Sequence, residues 1–170
     1  MRLESPRGGD TRPTSDMLRE ALFAILADVG GALVLDAFAG TGALGLEALS
    51  RGAAHADFCE TSQPALRALR ANVARLGYEE RATVRRQDGR RRLASDHARG
   101  RAYDLLLFDP PYRMLGALQE DLRLHAPNLL RPGGRAVIEG PADSPGVQLP
   151  LPLVTDRVHG GSRLQVYADA

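Results

Sequence analysis

Ala32-Leu33-Val34-Leu35 is a short apolar run without alternation, and a glycine-rich turn follows it at once. Such a run suits a strand covered on both faces. The turn, Asp36-Ala37-Phe38-Ala39-Gly40-Thr41-Gly42-Ala43-Leu44-Gly45, leads into a helix from about Ala43 to Ser50. The pattern then repeats. Ala56–Cys59 reads as a second strand. Pro64 opens a helix, where its missing N–H costs nothing, and Gly77 closes it. Ala82–Arg85 is a third strand, ending near Asp88, and Gly89–Ala98 a short helix. Tyr103–Phe108 carries the strongest central-strand signal in the chain, and Leu115–Ala126 is helical. Pro132-Gly133-Gly134 reads as a turn before a strand over Arg135–Glu139. Strands alternating with helices argue for an α/β fold, a parallel sheet covered on both faces.

The two ends differ from this middle. Residues 1–13 are polar, with Pro6, Gly8, Gly9 and Pro13, and read as an irregular arm. A helix follows from Ser15, with Leu18, Ala21, Leu22, Ile25 and Leu26 on one face; Thr14 or Ser15 can cap it, and Gly30-Gly31 stops it. At the other end, Leu153–Val158 and Arg163–Tyr167 flank Gly160-Gly161 and read as an antiparallel hairpin. Residues 14–170 are expected to form one domain, because a chain of 170 residues buries roughly 70% of its unfolded surface.

Composition narrows the setting. Cys59 is the single cysteine and has no intrachain partner. No signal peptide and no long apolar run is evident, so a cytoplasmic protein with no membrane contact is expected. His55, His97, His125 and His159 show no metal-ligand spacing, and no metal is expected. Net charge is only +1, yet eight arginines and two aspartates lie between Arg81 and Arg101. That stretch is either a phosphate-contacting patch or a solvated face in a chain that uses no lysine.

The glycine turn points to a nucleoside. Gly40 and Gly42 allow backbone to approach a ligand closely, and a helix N-terminus offers free amides. Glu60 ends the second strand, where it can accept from ribose hydroxyls. This pattern fits NAD and S-adenosylmethionine equally well. Asp36 favours the second, because an acid there suits the cationic methionyl part. Asp88 can accept from an adenine amine while the Gly89 amide donates to a ring nitrogen.

Asp109-Pro110-Pro111-Tyr112 follows the most apolar strand. Adjacent prolines end the strand in a stiff turn. The turn offers two acceptors, the Asp109 carboxylate and the Pro110 carbonyl. An exocyclic base amine has two hydrogens to donate. Its lone pair is delocalised into the ring, and two acceptors favour density on nitrogen and aim it at a methyl donor. Asp109 can also take the released proton. Tyr112 can stack on a base that has left its own stack, a role the ring alone can fill.

With these motifs the chain resembles the bacterial 16S ribosomal RNA guanine-N2 methyltransferase family. The likeness runs from Thr11 to Tyr167. It includes Arg12-Pro13-Thr14-Ser15-Asp16, Arg19-Glu20-Ala21-Leu22-Phe23, Leu35 to Ala53, Asp109 to Tyr112, and Gly161 to Tyr167. The resemblance implies a class I methyltransferase fold, Rossmann-like, with a mostly parallel sheet and a C-terminal antiparallel hairpin. It implies S-adenosyl-L-methionine as cofactor, S-adenosyl-L-homocysteine as product, and ribosomal RNA or the small ribosomal subunit as partner. Cofactor contacts are expected from Thr14, whose segment folds over the cofactor, and from Asp36, Phe38, Gly40, Gly42, Glu60, Asp88 and Gly89. Asp109, Pro110 and Tyr112 are the expected catalytic residues, with Pro111, Tyr112 and Arg113 on the base. One departure is that members usually carry a longer basic, glycine-rich hairpin ahead of the arginine-proline-threonine segment. Only Met1 to Asp10 stand there, with Arg2 and Arg7 balanced by Glu4 and Asp10. The other readings weighed are an NAD-dependent oxidoreductase, a non-catalytic RNA-binding domain, and methyl transfer to adenine N6 or a protein amide.

Overall fold

The computed structural model describes residues 3–4 and 13–170, with backbone alone for 13–15. The Thr14 cofactor contact, capping by Thr14 or Ser15, and the basic residues Arg2 and Arg7 therefore lie outside the described residues. Helix α1 (Pro13–Leu26) starts ahead of the expected Ser15, because proline in a first helical turn forfeits no hydrogen bond. It also ends before Gly30. Ala27 already takes a left-handed φ of 59°, which breaks the helical path.

The sheet is built from β1 (Leu33–Asp36), β2 (His55–Glu60), β3 (Ala82–Arg86), β4 (Tyr103–Phe108), β5 (Leu130–Pro141), β6 (Leu153–His159) and β7 (Ser162–Ala168). Their order is β3-β2-β1-β4-β5-β7-β6. The first five are parallel. Strand β7 runs antiparallel between β5 and β6. Helices α2 (Ala43–Ser50), α3 (Gln63–Arg75), α4 (Gly89–Ala98) and α5 (Leu115–Leu129) fill the crossovers.

The non-alternating strands now have a reason. Val34, Leu105 and Leu107 point into one core, with Leu22, Phe23, Leu46 and Leu69. Leu35, Leu106 and Phe108 point into the other, with Leu93, Leu118 and Leu122. Apolar residues are needed on both sides, so the period of two disappears from the sequence.

The expected turn at Pro132-Gly133-Gly134 is not a separate element. It is an irregularity within the longer β5, where pairing jumps from Tyr103↔Leu130 to Leu105↔Arg135. Gly133 has φ +77°, which lets the strand bulge and resume pairing. Helix α5 continues past Pro127 to Leu129 because Ala126 and Leu129 are fully buried.

Helix α4 is fixed to the sheet by a buried polar cluster. Arg92 Nε donates to Asp96 Oδ2 at 2.6 Å, and its Nη2 donates to Tyr103 Oη at 3.0 Å. Arg92 Nη2 also lies 3.2 Å from Asp57 Oδ2 on β2. Each of the four residues is less than a tenth exposed. The cluster sets where the N-terminus of α4 stands.

Candidate active site

Strands β1 and β4 are neighbours, and crossovers leave them in opposite directions along the sheet. Their carboxyl ends therefore open a crevice at the switch point, the usual ligand position in such sheets. The glycine turn follows β1 and Asp109–Tyr112 follows β4. Together they wall a cleft of about 600 Å³. Of the expected residues, Phe38, Gly40, Glu60, Asp88, Gly89, Asp109, Pro110, Pro111, Tyr112 and Arg113 line it. A second hollow, about 340 Å³, lies at the other end of the strands beside Ala32 and Asp104, away from both motifs.

The glycine turn is held from two sides. Gly40 N donates to Glu60 Oε2 at 2.8 Å. Asn72 Nδ2 on α3 donates to the Thr41 carbonyl at 3.1 Å. Asn72 is fully buried and also bonds both backbone groups of Glu4, tying residues 3–4 to the turn. The sequence reading passed over Asn72, although a polar residue beside Leu69 and Val73 on an apolar helix face was a usable signal.

Two of the expected contact residues stand back from the cleft lining. Gly42 does not line the cleft. A Cβ there would sit 2.4 Å from Leu69 Cδ1, and φ is +91°, so glycine is required by packing and backbone shape. Gly40, with φ +56° and open space beside its Cα, is the turn glycine that faces the cleft. Asp36 lies beneath the turn rather than on the cleft wall, 1% exposed. Its Oδ2 accepts from Gly45 N at 3.0 Å. Burial pushes its carboxyl up to about 7.

Glu60, expected on the ribose, holds backbone amides of its own protein. Its Oε1 accepts from Thr61 N and Ser62 N at 2.7 and 2.8 Å, while Oε2 holds Gly40 N. It thus braces both loops around the cleft. Asp88 caps α4, its Oδ1 accepting from Arg91 N at 3.1 Å. Gly89 is the first residue of that helix, and a Cβ there would strike the Ala37 carbonyl at 2.4 Å. Cys59 lines the cleft floor, where burial raises its thiol to about 12 and keeps it protonated.

These residues fit a cationic nucleoside cofactor. Asp36 Oδ1 is buried and has no hydrogen-bond partner among the described residues, so a positive charge near it would be welcome. Glu60 keeps acceptor capacity toward the cleft, and the α4 N-terminus presents the Gly89 amide.

Asp109 is exposed on the cleft wall and also borders a smaller crevice that it shares with Glu139. Desolvation raises its pKa well above the ordinary carboxylate value, and the charges of Glu139 and Asp36 push the same way. Glu139 was read only as the end of a strand, with no place in the site. It lies on β5 level with the end of β4, where pairing runs Phe108↔Ile138. Tyr112 is 44% exposed. Its hydroxyl, expected to be idle, lies 2.9 Å from Ser162 Oγ. The Pro111 carbonyl accepts from Met114 N at 2.8 Å, which pins the tetrapeptide to the start of α5.

The arginine-rich stretch divides. Arg81 donates to the Leu49 and Ala53 carbonyls, Arg90 pairs with Asp121, and Arg92 is buried. Arg85 and Arg86 at the end of β3, and Arg91 in the first turn of α4, are exposed. His97 and His125, far apart in sequence, meet across α4 and α5 with 2.9 Å between their Nδ1 atoms. Among the described residues, no group of three potential metal ligands forms, and no helix is long and apolar enough to cross a membrane.

The family model described as "Conserved hypothetical protein 95" matches residues 1–168. "Ribosomal RNA small subunit methyltransferase D" of Escherichia coli K12 is 38% identical over 130 residues, which span 72% of this chain and 60% of that protein. The solved structure of a hypothetical protein from Thermus thermophilus covers all of this chain and is itself 94% covered, with TM-score 0.81 and 32% identity. A SAM-dependent methyltransferase from Agrobacterium tumefaciens shares the fold, with TM-score 0.75 and 17% identity over 94% of this chain and 63% of that one.

Proposed function

The chain belongs to the Conserved hypothetical protein 95 family, and from this premise we propose that it transfers a methyl group from S-adenosylmethionine to the N2 amine of a guanine in 16S ribosomal RNA. One observation carries the reading. The acceptor tetrapeptide and the nucleoside turn wall a single cleft from adjacent strand ends. The relative named as a small-subunit ribosomal RNA methyltransferase supports the substrate. When bound, the cofactor supplies an electrophilic methyl group on sulfonium. Glu60, Asp88 and Gly89 hold its adenosine, and the Gly40 turn with Asp36 behind it favours its cationic end. Asp109 and the Pro110 carbonyl accept the two amine hydrogens and aim the nitrogen lone pair. Asp109 then takes the released proton, and Tyr112 and Pro111 support the base.

Incubating the protein with small subunits, or their RNA, and labelled cofactor should give N2-methylguanosine on nucleoside mass spectrometry. Finding N6-methyladenosine instead, or no transfer to RNA, overturns this reading.

Two further expectations follow from the cleft. Glu60→Ala should weaken S-adenosylhomocysteine binding by about 1.5–3 kcal/mol, as for charge-assisted hydrogen bonds. The structure adds a reason, since the variant also frees Gly40 N. Calorimetry on the folded variant checks it, and unchanged affinity would reject the adenosine assignment. Docking of RNA phosphates falls to Arg85, Arg86 and Arg91. Neutralising Arg86 and Arg91 together should flatten the slope of log affinity against log salt by roughly two. An unaltered slope returns these arginines to a solvated face.

A further inference from the structure

The Tyr112 hydroxyl begins a chain that the proposed reaction leaves unused. It lies 2.9 Å from Ser162 Oγ, and Ser162 Oγ donates to Glu139 Oε1 at 3.0 Å. A serine hydroxyl has one proton to give. With that proton spent on Glu139, Tyr112 is the donor to Ser162. Ser162 opens β7 directly after the Gly160-Gly161 turn, and Glu139 stands opposite Leu164 in the β5–β7 pair. The C-terminal hairpin thereby reaches the motif that follows β4, 50 residues earlier.

We infer that Ser162 and Glu139 are positioning residues for methyl transfer, holding the Tyr112 ring beside Asp109 so that the target base meets a stacking surface already in place. The inference rests on the reading that Tyr112 stacks on the base. The ring is exposed and would otherwise exchange rotamers freely, a freedom that base binding would have to remove. Its main chain is fixed by Pro110, Pro111 and the Met114 N–Pro111 O bond. The hydroxyl bond fixes the far end. Both ends of the residue are then set before substrate arrives.

Glu139 has a second connection. It shares with Asp109 a crevice of about 90 Å³ beneath α1. Asp36 from β1 and Glu139 from β5 face Asp109, and Arg19 from α1 borders the same crevice, paired with Asp16 and Glu47. Glu139→Gln keeps an oxygen for Ser162 and removes a negative charge beside Asp109. That variant should hold Tyr112 normally while the acid limb of the rate profile moves to lower pH.

The test compares single-turnover transfer by Tyr112→Phe, Ser162→Ala, Ser162→Thr and the Tyr112→Phe/Ser162→Ala pair. Each hydroxyl deletion should slow transfer about 3- to 10-fold, the scale of ordering one side chain. The double variant should be no slower than either single one, and Ser162→Thr should recover the rate. S-adenosylhomocysteine affinity should not move in any of them. Additive losses, or wild-type rate in Tyr112→Phe, overturn the inference. A readout independent of activity is the order of the Tyr112 ring by NMR relaxation in ring-labelled protein. Ser162→Ala should loosen it, and an equally ordered ring rejects the tether. Should the wild type transfer nothing to RNA, the function proposed above fails on its own, while ring order still decides the tether.

Discussion

Asp109→Ala should bind S-adenosylhomocysteine nearly as the wild type does and transfer methyl groups at least about 100-fold more slowly, the loss typical of a positioned acid–base group. The expectation follows from where the residue stands. Asp109 lies one position past β4, on the wall shared by the large cleft and the small crevice under α1. It makes no bond to the glycine turn, which Glu60 and Asn72 hold without it. Asp109→Asn should lose less, because its amide oxygen still accepts from the amine. The wild-type pH profile supplies a sign. Only the ionised carboxylate accepts both the hydrogen bond and the proton, and desolvation followed by the Glu139 and Asp36 charges raises its pKa. The acid limb of the rate should therefore lie above the ordinary carboxylate range, and Asp109→Asn should lack that limb. Single-turnover transfer to the small subunit measures all three. Wild-type transfer by Asp109→Ala would reduce the tetrapeptide to a structural turn.

The elements around this site were legible because their signals are local. Helices α2 and α4 and strand β4 match the sequence reading residue for residue: a turn glycine, an Asp cap and a paired proline stop mark their ends. The apolar runs gave the doubly covered sheet. What escaped depends on which strands become neighbours. Glu139 acquires its meaning only when β5 lies beside β4, and Ser162 only when β7 inserts between β5 and β6. Charge counting could not sort the arginines for a similar reason. Eight arginines in one stretch look equivalent in sequence, but Asp57 on β2 waits for one of them and Asp121 on α5 for another. Gly40 and Gly42 were paired as ligand-facing residues, and only the packing of Leu69 and Leu46 separates their duties.

Arg92→Ala should lower folding stability by about 3–5 kcal/mol, the cost of removing one partner from a buried ion pair. The guanidinium lies between Asp57 of β2 and Asp96 of its own helix, with Tyr103 of β4 bonded to both Arg92 and Asp96. All four are nearly sealed from water, so the variant leaves two carboxylates facing one another with no charge between them. Arg101 lies 3.8 Å from Asp57 but is nearly half exposed and screened by solvent, which makes it a poor substitute. Replacing the whole cluster with apolar residues need not carry this cost, because the penalty comes from the stranded charges rather than from the lost bonds. The damage should also reach the cleft. Helix α4 carries Asp88 as its cap and Gly89 as its first residue, packed against the Ala37 carbonyl and the Phe38 ring. A helix loosened from β2 and β4 no longer presents that amide at a fixed place, so cofactor affinity should drop together with stability. Urea unfolding of Arg92→Ala, alone and saturated with S-adenosylhomocysteine, reads both effects. A loss under about 1 kcal/mol would mean that water reaches the cluster and that α4 is held to the sheet by Leu93 and its apolar neighbours instead.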